Sequence, residues 1–281
     1  MSRIAVIGIV GNSVFLEVDK FHEGGETVEA RSVHYELGGK GFNQAVAASR
    51  YGAEVSFLGA VGLDAYDSVK AFFDNEKIDS TLVKKSNATA FAAIVTDKNG
   101  TNHVTVYQGA QLSDDDVMAF EDKIKNADVL LINNEVSESV NLKAVEIAKR
   151  FGIKIILNPA PARKTDPYIL ENVDLFTPNE HETLGIEDKE NLIMTVGKRG
   201  CIIKSENKNI PAVNVGKVVD TTGAGDTFNG VLAAAIGEGM NITDAAMRAN
   251  IASSIGVTRK YAVSSIPTKN EIMEIEKCKR D

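Results

Sequence analysis

Residues 218–230 read V-V-D-T-T-G-A-G-D-T-F-N-G, and this run decides how the chain is assembled. Val218 and Val219 look like the apolar end of a strand. Gly223 and Gly225 bracket Ala224 in a turn, and a helix is predicted over 226–237. Backbone N–H groups at a helix start have no partner within the helix, and the aligned peptide dipoles add partial positive charge. Such a turn can hold a phosphate or a developing oxyanion. A carboxylate placed there repels an anion unless it serves the reaction itself. Asp226 therefore fits a base that takes a proton from an attacking hydroxyl, with Gly223, Ala224 and Gly225 as the anion-binding turn. The simpler role for the same residues is an N-terminal helix cap on a tight glycine turn.

Outward from that run the chain alternates between two periodicities. Residues 4–9 read as a buried first strand, and 14–17 with 27–35 as exposed, partly alternating strands joined through Gly24-Gly25. A helix over 43–51 follows Gly38-Gly39 and stops at Gly52. Strand 55–58, helix 65–75 and strand 81–84 continue the pattern. Residues 90–95 and 103–107 read as a hairpin turning through Asp97-Lys98-Asn99-Gly100. From Ser113 onward come helix 114–124, strand 129–132, helix 138–150 and strand 154–157, then strands at 175–176 and 193–196. Residues 202–204 and 212–215 flank a turn at 207–209, and helices 226–237, 243–257 and 269–277 close the chain.

Strand and helix by turns means parallel strands with crossover helices. The expectation is an α/β fold with a doubly wound, mainly parallel central sheet flanked by helices, plus a small β-sheet lid made from the exposed strands. Core and lid divide as 1–11, 38–87 and 109–281 against 12–37 and 88–108. At 281 residues, 25% charged and 43% hydrophobic, the composition is that of an ordinary globular protein. A formal charge of −8 argues against a broad nucleic-acid face. Cys201 and Cys278 have neither a metal-pair spacing nor a nucleophile's base beside them, which implies a reduced, cytoplasmic setting. Residues 4–10 are too short an apolar run to cross a bilayer and lack a small-residue cleavage site, so no membrane partner is expected.

Ligands of such sheets collect at the carboxyl ends of the strands. Gly11 to Ser13, Asn133 to Glu135, Asn158 and the glycine turn all fall at predicted strand ends. Glycines in G-G-K-G at 38–41 give a hydroxyl-rich ligand access to backbone, and Lys40 and Asn43 can donate to its oxygens; the same glycines would also suit a loop-to-helix junction. Glu135 could accept from another hydroxyl. No G-x-x-x-x-G-K-[ST] occurs, and Gly223 and Gly225 lack the spacing of a dinucleotide fingerprint. T-V-G-K-R-G at 195–200 offers close backbone approach, or merely a β-turn with solvated Lys198 and Arg199. Asn179 and Glu182 are spaced to share one face of a helix's first turn, suited to a hard cation or to a helix cap.

D-T-T-G-A-G-D-T-F-N-G at 220–230, G-G-K-G-F-N-Q-A at 38–45, N-P-A-P-A at 158–162 and P-N-E-H-E at 178–182 stand in the order found in the ribokinase-like (PfkB) sugar kinases. The chain resembles that family from its first strand to about Pro267, and within it is most similar to the ribokinases. The resemblance implies phosphoryl transfer from ATP to a primary hydroxyl of a pentose-like sugar, with Asp226 as general base. It carries nucleotide contacts onto Thr195, Gly197 and Asn250, with Lys198, Gly200 and Gly225 beside them, and puts Asn179 near the phosphates and Glu182 on Mg²⁺ through water. Sugar contacts fall on Gly39, Asn43 and Glu135. A monovalent cation, K⁺, is implied at the Asp220 carboxylate, the carbonyls of Thr222, Gly256, Arg259 and Tyr261, and Ser265; Asp220 could equally cap the turn.

Two departures stand out. Ribokinases have Asn and Asp where this chain has Gly11 and Ser13, and a serine cannot reproduce a charged, two-pronged grip on adjacent hydroxyls. That loss weakens ribose binding by about 1.5–3 kcal/mol unless Asn12 or a water substitutes. Tyr261 replaces a glycine in the cation loop. The acceptor could thus be a nucleoside or a hexose derivative, and a sugar- or nucleotide-sensing relative without catalysis is the reading from another class. Exposed lid strands need partners for their edges, which points to a homodimer through the lid.

Overall fold

The computed structural model describes residues 1–278. The first half of the chain runs β1 (Arg3–Ile7), β2 (Gly11–Val18), β3 (Ala30–Gly38), α1 (Lys40–Arg50), β4 (Glu54–Gly62), α2 (Tyr66–Asn75), β5 (Asp79–Lys85), β6 (Ala90–Thr96) and β7 (Asn102–Tyr107). There follow α3 (Asp114–Ala119), α4 (Glu121–Lys125), β8 (Val129–Asn133), α5 (Glu138–Phe151), β9 (Lys154–Asn158), α6 (Pro167–Asn172) and β10 (Leu175–Phe176). The last part contains β11 (Ile193–Thr195), β12 (Cys201–Ile203), β13 (Lys208–Ile210), α7 (Ala224–Gly237), α8 (Ile242–Gly256) and α9 (Lys269–Cys278).

The central sheet has the order β10-β9-β8-β1-β4-β5, and every pairing in it is parallel. Its middle strands are apolar on both faces because helices cover both. On β1, Ile4 and Val6 enter one core with α1, α7 and α8, while Ala5 and Ile7 enter the other with α3, α4 and α5. This is the doubly wound architecture expected.

The two helices that matter most meet on the first face. α7 is buried almost all round and carries Ala233, Ala234 and Ala235. At Gly230 an added Cβ would run into the Gln44 carbonyl oxygen and lie 2.6 Å from the Ala47 Cβ. Gly230 thus lets α1 and α7 touch backbone to backbone.

A separate four-stranded sheet, β3-β2-β6-β7, is built from the exposed strands, antiparallel except for β2–β6. Gly100 turns the β6–β7 hairpin at φ 81°. Strands β11, β12 and β13 form a third, antiparallel sheet hooked to the main one by bridges from Phe176 to Leu192 and Asn179 to Thr195.

Several local expectations are corrected. Val218 and Val219 belong to no strand; they are 57% and 51% exposed, and the Val219 N–H is tied to the Val257 carbonyl. Residues 212–215 are irregular, and the strand opposite β12 is Lys208–Ile210, because the turn falls earlier and Asn207 takes the left-handed conformation at φ 45°. The helix expected over 114–124 breaks at Phe120, whose buried ring sits between α3 and α4. α6, with Asp166 capping and Pro167 at its first position, had no sequence expectation.

Candidate active site

Gly223 is the residue before α7, at φ 75° in the left-handed region, and Asp226 is the third residue of the helix. Its carboxylate does not cap. It is 8% exposed and turns to α1, where Oδ2 accepts from Asn43 Nδ2 at 2.9 Å and Oδ1 from Gln44 Nε2 at 3.3 Å. Burial raises the pKa of Asp226, against the pull of Lys40 and of the two amide donors. Among the described residues, the N–H groups of Gly223, Gly225 and Asp226 have no protein acceptor, while that of Ala224 reaches the Thr221 carbonyl at 3.3 Å. The unpaired donors of the helix start are therefore three, and Ala224 is the weakest member of the expected set.

The loop before α1 is packed close against the end of β1. Gly39 has φ 112°, and a Cβ there would strike the Ile9 carbonyl oxygen; at Gly41 it would lie 2.6 Å from the Gly8 Cα. The Lys40 N–H donates to Glu135 Oε2 at 2.7 Å, and the Glu135 N–H to Asn133 Oδ1 at 3.0 Å. Burial, with the Asp226 charge nearby, pushes the Glu135 carboxyl up to about 7 against the Lys40 charge and the N–H groups of Lys40 and Gly41. Lys40 is itself raised, first by Asp226 and then by Glu135 and Glu182, against burial. Gly11 pairs with Gly38 across β2–β3, and a Cβ at Gly38 would sit 2.7 Å from Ser13 Oγ. Of the six acceptor-side residues expected from the sequence, Gly39, Lys40, Asn43 and Glu135 thus gather around the start of α1 near Asp226, while Gly11 and Ser13 adjoin Gly38 at the foot of β3.

On the other side of the α7 start lies a cavity of about 700 Å³. Its walls include Asn179, Thr195, Gly197, Lys198, Gly200, Gly225 and Asn250, every nucleotide-side residue expected. Gly225 faces open space, since a Cβ there would meet nothing within 4 Å. Asn250 does not present its amide nitrogen to the cavity; Nδ2 holds the wall by donating to the carbonyls of Ile210 and Pro211. Asn179 and Glu182 occupy a turn rather than a helix, in which Glu182 Oε2 accepts the Asn179 N–H at 3.0 Å and Asn179 Oδ1 that of His181 at 2.8 Å. The capping contacts form without the helix, and turns over 184–188 lead on to β11.

The loop expected to hold a monovalent cation is bonded to itself. Asp220 Oδ1 accepts from Thr222 N and Oγ1, and Oδ2 from Tyr261 N at 2.9 Å. Tyr261 is held at φ 72°, the conformation that a glycine would supply. The Gly256 carbonyl takes the Arg259 N–H, the Arg259 guanidinium reaches the Ser265 carbonyl, and Ser265 Oγ donates to the Ala262 carbonyl.

Sequence reading missed Gln44, a fully buried amide bridging Asp226 and Asn158. The available signal was a long polar side chain inside an otherwise apolar helical run. It also missed the 212–216 wall and Phe228, which line the cavity. A further buried relay runs from Thr177 to Asn229 Oδ1 and from Asn229 Nδ2 to the Gly225 carbonyl, pinning the second residue of α7.

The family model described as pfkB family carbohydrate kinase matches residues 1–269. A ribokinase of Lactococcus lactis is 34% identical over 289 residues, covering 97% of this chain and 96% of the relative. The structure of a ribokinase from Giardia lamblia superposes with a TM-score of 0.88 at 26% identity, covering 100% of this chain and 99% of that one. An Arabidopsis thaliana ribokinase solved with ribose and ATP gives 0.85 at 25% identity, covering 98% of each.

Proposed function

This chain belongs to the pfkB family of carbohydrate kinases and is an ATP-dependent kinase of pentose-like sugars; from that premise we propose that Asp226 takes the proton of the sugar's primary hydroxyl as that oxygen attacks the γ-phosphorus of ATP. The new O–P bond forms as the bond to the β–γ bridging oxygen breaks and ADP leaves. Charge gathering on the transferred group meets the unpaired N–H groups of Gly223, Gly225 and Asp226. The observation that carries this reading is the position of Asp226, buried between the G-G-K-G loop and the nucleotide-side cavity with both oxygens fixed by amides of α1. Its raised pKa makes it a better proton acceptor than an exposed aspartate.

On the acceptor side, Gly39, Lys40, Asn43 and Glu135 receive the sugar, with Gly11 and Ser13 at the start of β2 in the lid sheet. Ser13 favours a second substrate class, a nucleoside or hexose derivative, because a neutral hydroxyl facing Gly38 grips a vicinal diol less firmly than a carboxylate. On the nucleotide side, Asn179, Thr195, Gly197, Lys198, Gly200, Gly225 and Asn250 line the ATP cavity.

Glu182 suits a Mg²⁺ held chiefly by phosphate and water: its charge is felt by both Lys40 and Asp226, and among the described residues no cluster of acidic, histidine or cysteine ligands forms a cage. Bound Mg²⁺ would neutralise the polyphosphate. The Asp220 loop, with Thr222, Gly256, Arg259, Tyr261 and Ser265, is where K⁺ would dock. Its carboxylate already accepts from three protein donors, so a cation there modulates the loop rather than building it.

Residues 12–37 and 88–108 act as the lid, whose closure excludes water. Tyr35, Val104, Val106 and Tyr107 are exposed on it, which supports a homodimer through this sheet. Cys201 and Cys278 are unpaired, which is consistent with a cytoplasmic setting, and no helix among the described residues is long and apolar enough to cross a membrane. The deciding experiment is ATP consumption with a panel of pentoses, hexoses and nucleosides. Turnover with a pentose supports the reading, preference for a nucleoside or hexose selects the second class, and no turnover with any acceptor removes it.

A further inference from the structure

β3 of the lid carries a carboxylate that serves the core. Glu36 stands opposite Ser13 in the β2–β3 register, and its side chain is 8% exposed. Oε1 accepts from the backbone N–H groups of Ala262 at 2.8 Å and Val263 at 3.3 Å. Oε2 accepts from Ser264 N at 3.4 Å and Ser264 Oγ at 3.1 Å. Among the described residues no lysine or arginine lies within ion-pair distance of it, and the basic neighbour is His34, with Nε2 at 3.6 Å. The negative charge is met instead by a row of backbone donors, which fixes the loop more firmly than a long cationic side chain would.

Two residues back on the same face of β3, the His34 ring stacks on Tyr261, with centroids 3.7 Å apart and planes within 8°. Phe15 of β2 meets the same ring edge-on at 5.3 Å. Tyr261, held in the left-handed conformation, gives its N–H to Asp220, and Asp220 in turn holds Thr222. The next residue, Ala262, packs on Gly223: a Cβ there would be 3.1 Å from both the Cα and Cβ of Ala262. Glu36 is therefore one residue's contact away from the turn that aims the first amides of α7.

We propose that Glu36 is a positioning residue for phosphoryl transfer: by holding the amides of 262–264 it sets Tyr261 and Ala262 against Asp220 and Gly223, so that the donors at the start of α7 are aimed only when the lid is seated. This rests on the reading of Gly223 to Asp226 as the site of transfer. The second lid-to-loop tie, Lys260 to Glu17, is a solvent-exposed ion pair and contributes little.

The test compares Glu36→Ala, Glu36→Gln and Lys260→Ala by steady-state kinetics and by amide hydrogen exchange, with Asp226→Asn alongside. Glu36→Ala is expected to lower kcat by about 10-fold or more with the KM for ATP within about 3-fold, and to speed exchange across both 258–266 and 219–228. Glu36→Gln keeps a carbonyl for Ala262 and Val263 and should return kcat to within about 3-fold of the parent, while Lys260→Ala should stay within about 2-fold. If kcat of Glu36→Ala stays within about 2-fold, or faster exchange is confined to the lid, the positioning role is wrong. Should Glu36→Ala not fold, Glu36→Asp, one methylene short of the three amides, takes its place with the same two outcomes. Failure of the underlying reading is separate: it shows as retained turnover in Asp226→Asn, whatever Glu36 does.

Discussion

Asn43 donates through Nδ2 to Asp226 Oδ2 across 2.9 Å, joining two residues 183 positions apart. The side chain proposed to hold the sugar is bonded to the group proposed to take its proton. Removing the carboxylate while keeping the shape is the direct check. Asp226→Asn should retain ATP and sugar binding by calorimetry and lose about 10²–10⁴-fold in kcat; a kcat within a few-fold of the parent would refute the role.

Gln44 donates to the other Asp226 oxygen and so opposes the rise in its pKa that burial causes. Gln44→Met removes that donor at nearly constant volume and leaves the carboxyl higher still. Because only the ionised form accepts a proton, the acid limb of the kcat/KM profile should move to higher pH, with kcat at neutral pH down about 10-fold. An unmoved acid limb would show that Gln44 serves packing alone.

Glu135 keeps its proton up to about pH 7 in the folded chain, while its ordinary value is 4.5. The folded state therefore binds more protons than the unfolded one between those values. Stability from this group is present below about 4.5 and is lost as pH rises through 7. Glu135→Gln should raise Tm at pH 8 and leave it unchanged near pH 4.5, with a gain of up to about 3 kcal/mol at the higher pH. In the parent, the KM for sugar should rise as pH falls below 7, because the protonated acid loses acceptor capacity. Thermal scans at the two pH values and a KM profile check both halves.

Gly225 needs no special backbone angle, and a methyl group there meets no protein atom. On the proposed reading, what it would meet is a phosphate. Gly225→Ala should fold with a Tm within about 2 °C of the parent yet lose about 10-fold or more in kcat/KM for ATP. Gly223→Ala should instead lower Tm, since φ 75° strains any residue with a Cβ by about 1–2 kcal/mol. Equal behaviour of the two variants would contradict the site as drawn.

Asp220 is satisfied by Thr222 and Tyr261. Exchanging K⁺ for tetramethylammonium should therefore lower kcat by no more than about 3-fold, measured at constant ionic strength. A fall beyond about 10-fold would mean that the cation, rather than the protein donors, organises the loop.

The main sheet was legible because β1, β8 and β9 are short apolar runs bounded by turn signals, and such runs have one stable home. The proposed site was legible where glycines and polar residues stood at strand ends. What stayed hidden depends on contacts distant in sequence. Val218 and Val219 have the residue type of a strand but no neighbouring strand to pair with, and only the fold shows that the Val219 N–H goes to the Val257 carbonyl, just past the end of α8. Residues 212–215 alternate like a strand, yet Asn250 draws the backbone just before them toward α8. Gln44 lies in a quoted motif, but its role needs Asp226 and Asn158 on either side of it. Glu36 gave no signal at all, because its partners are backbone amides more than two hundred residues away.

Gly230 brings α1 and α7 into direct backbone contact. Helices joined without intervening side chains have nothing to slide on, so Asn43 on α1 and Asp226 on α7 form a single anvil. Movement during a catalytic cycle then falls to the hammer side, the elements outside that contact: the sheet β3-β2-β6-β7 and the thin wall of β11 to β13. Drift in substrate preference has the same geography, free to proceed on those moving faces while the anvil stays fixed.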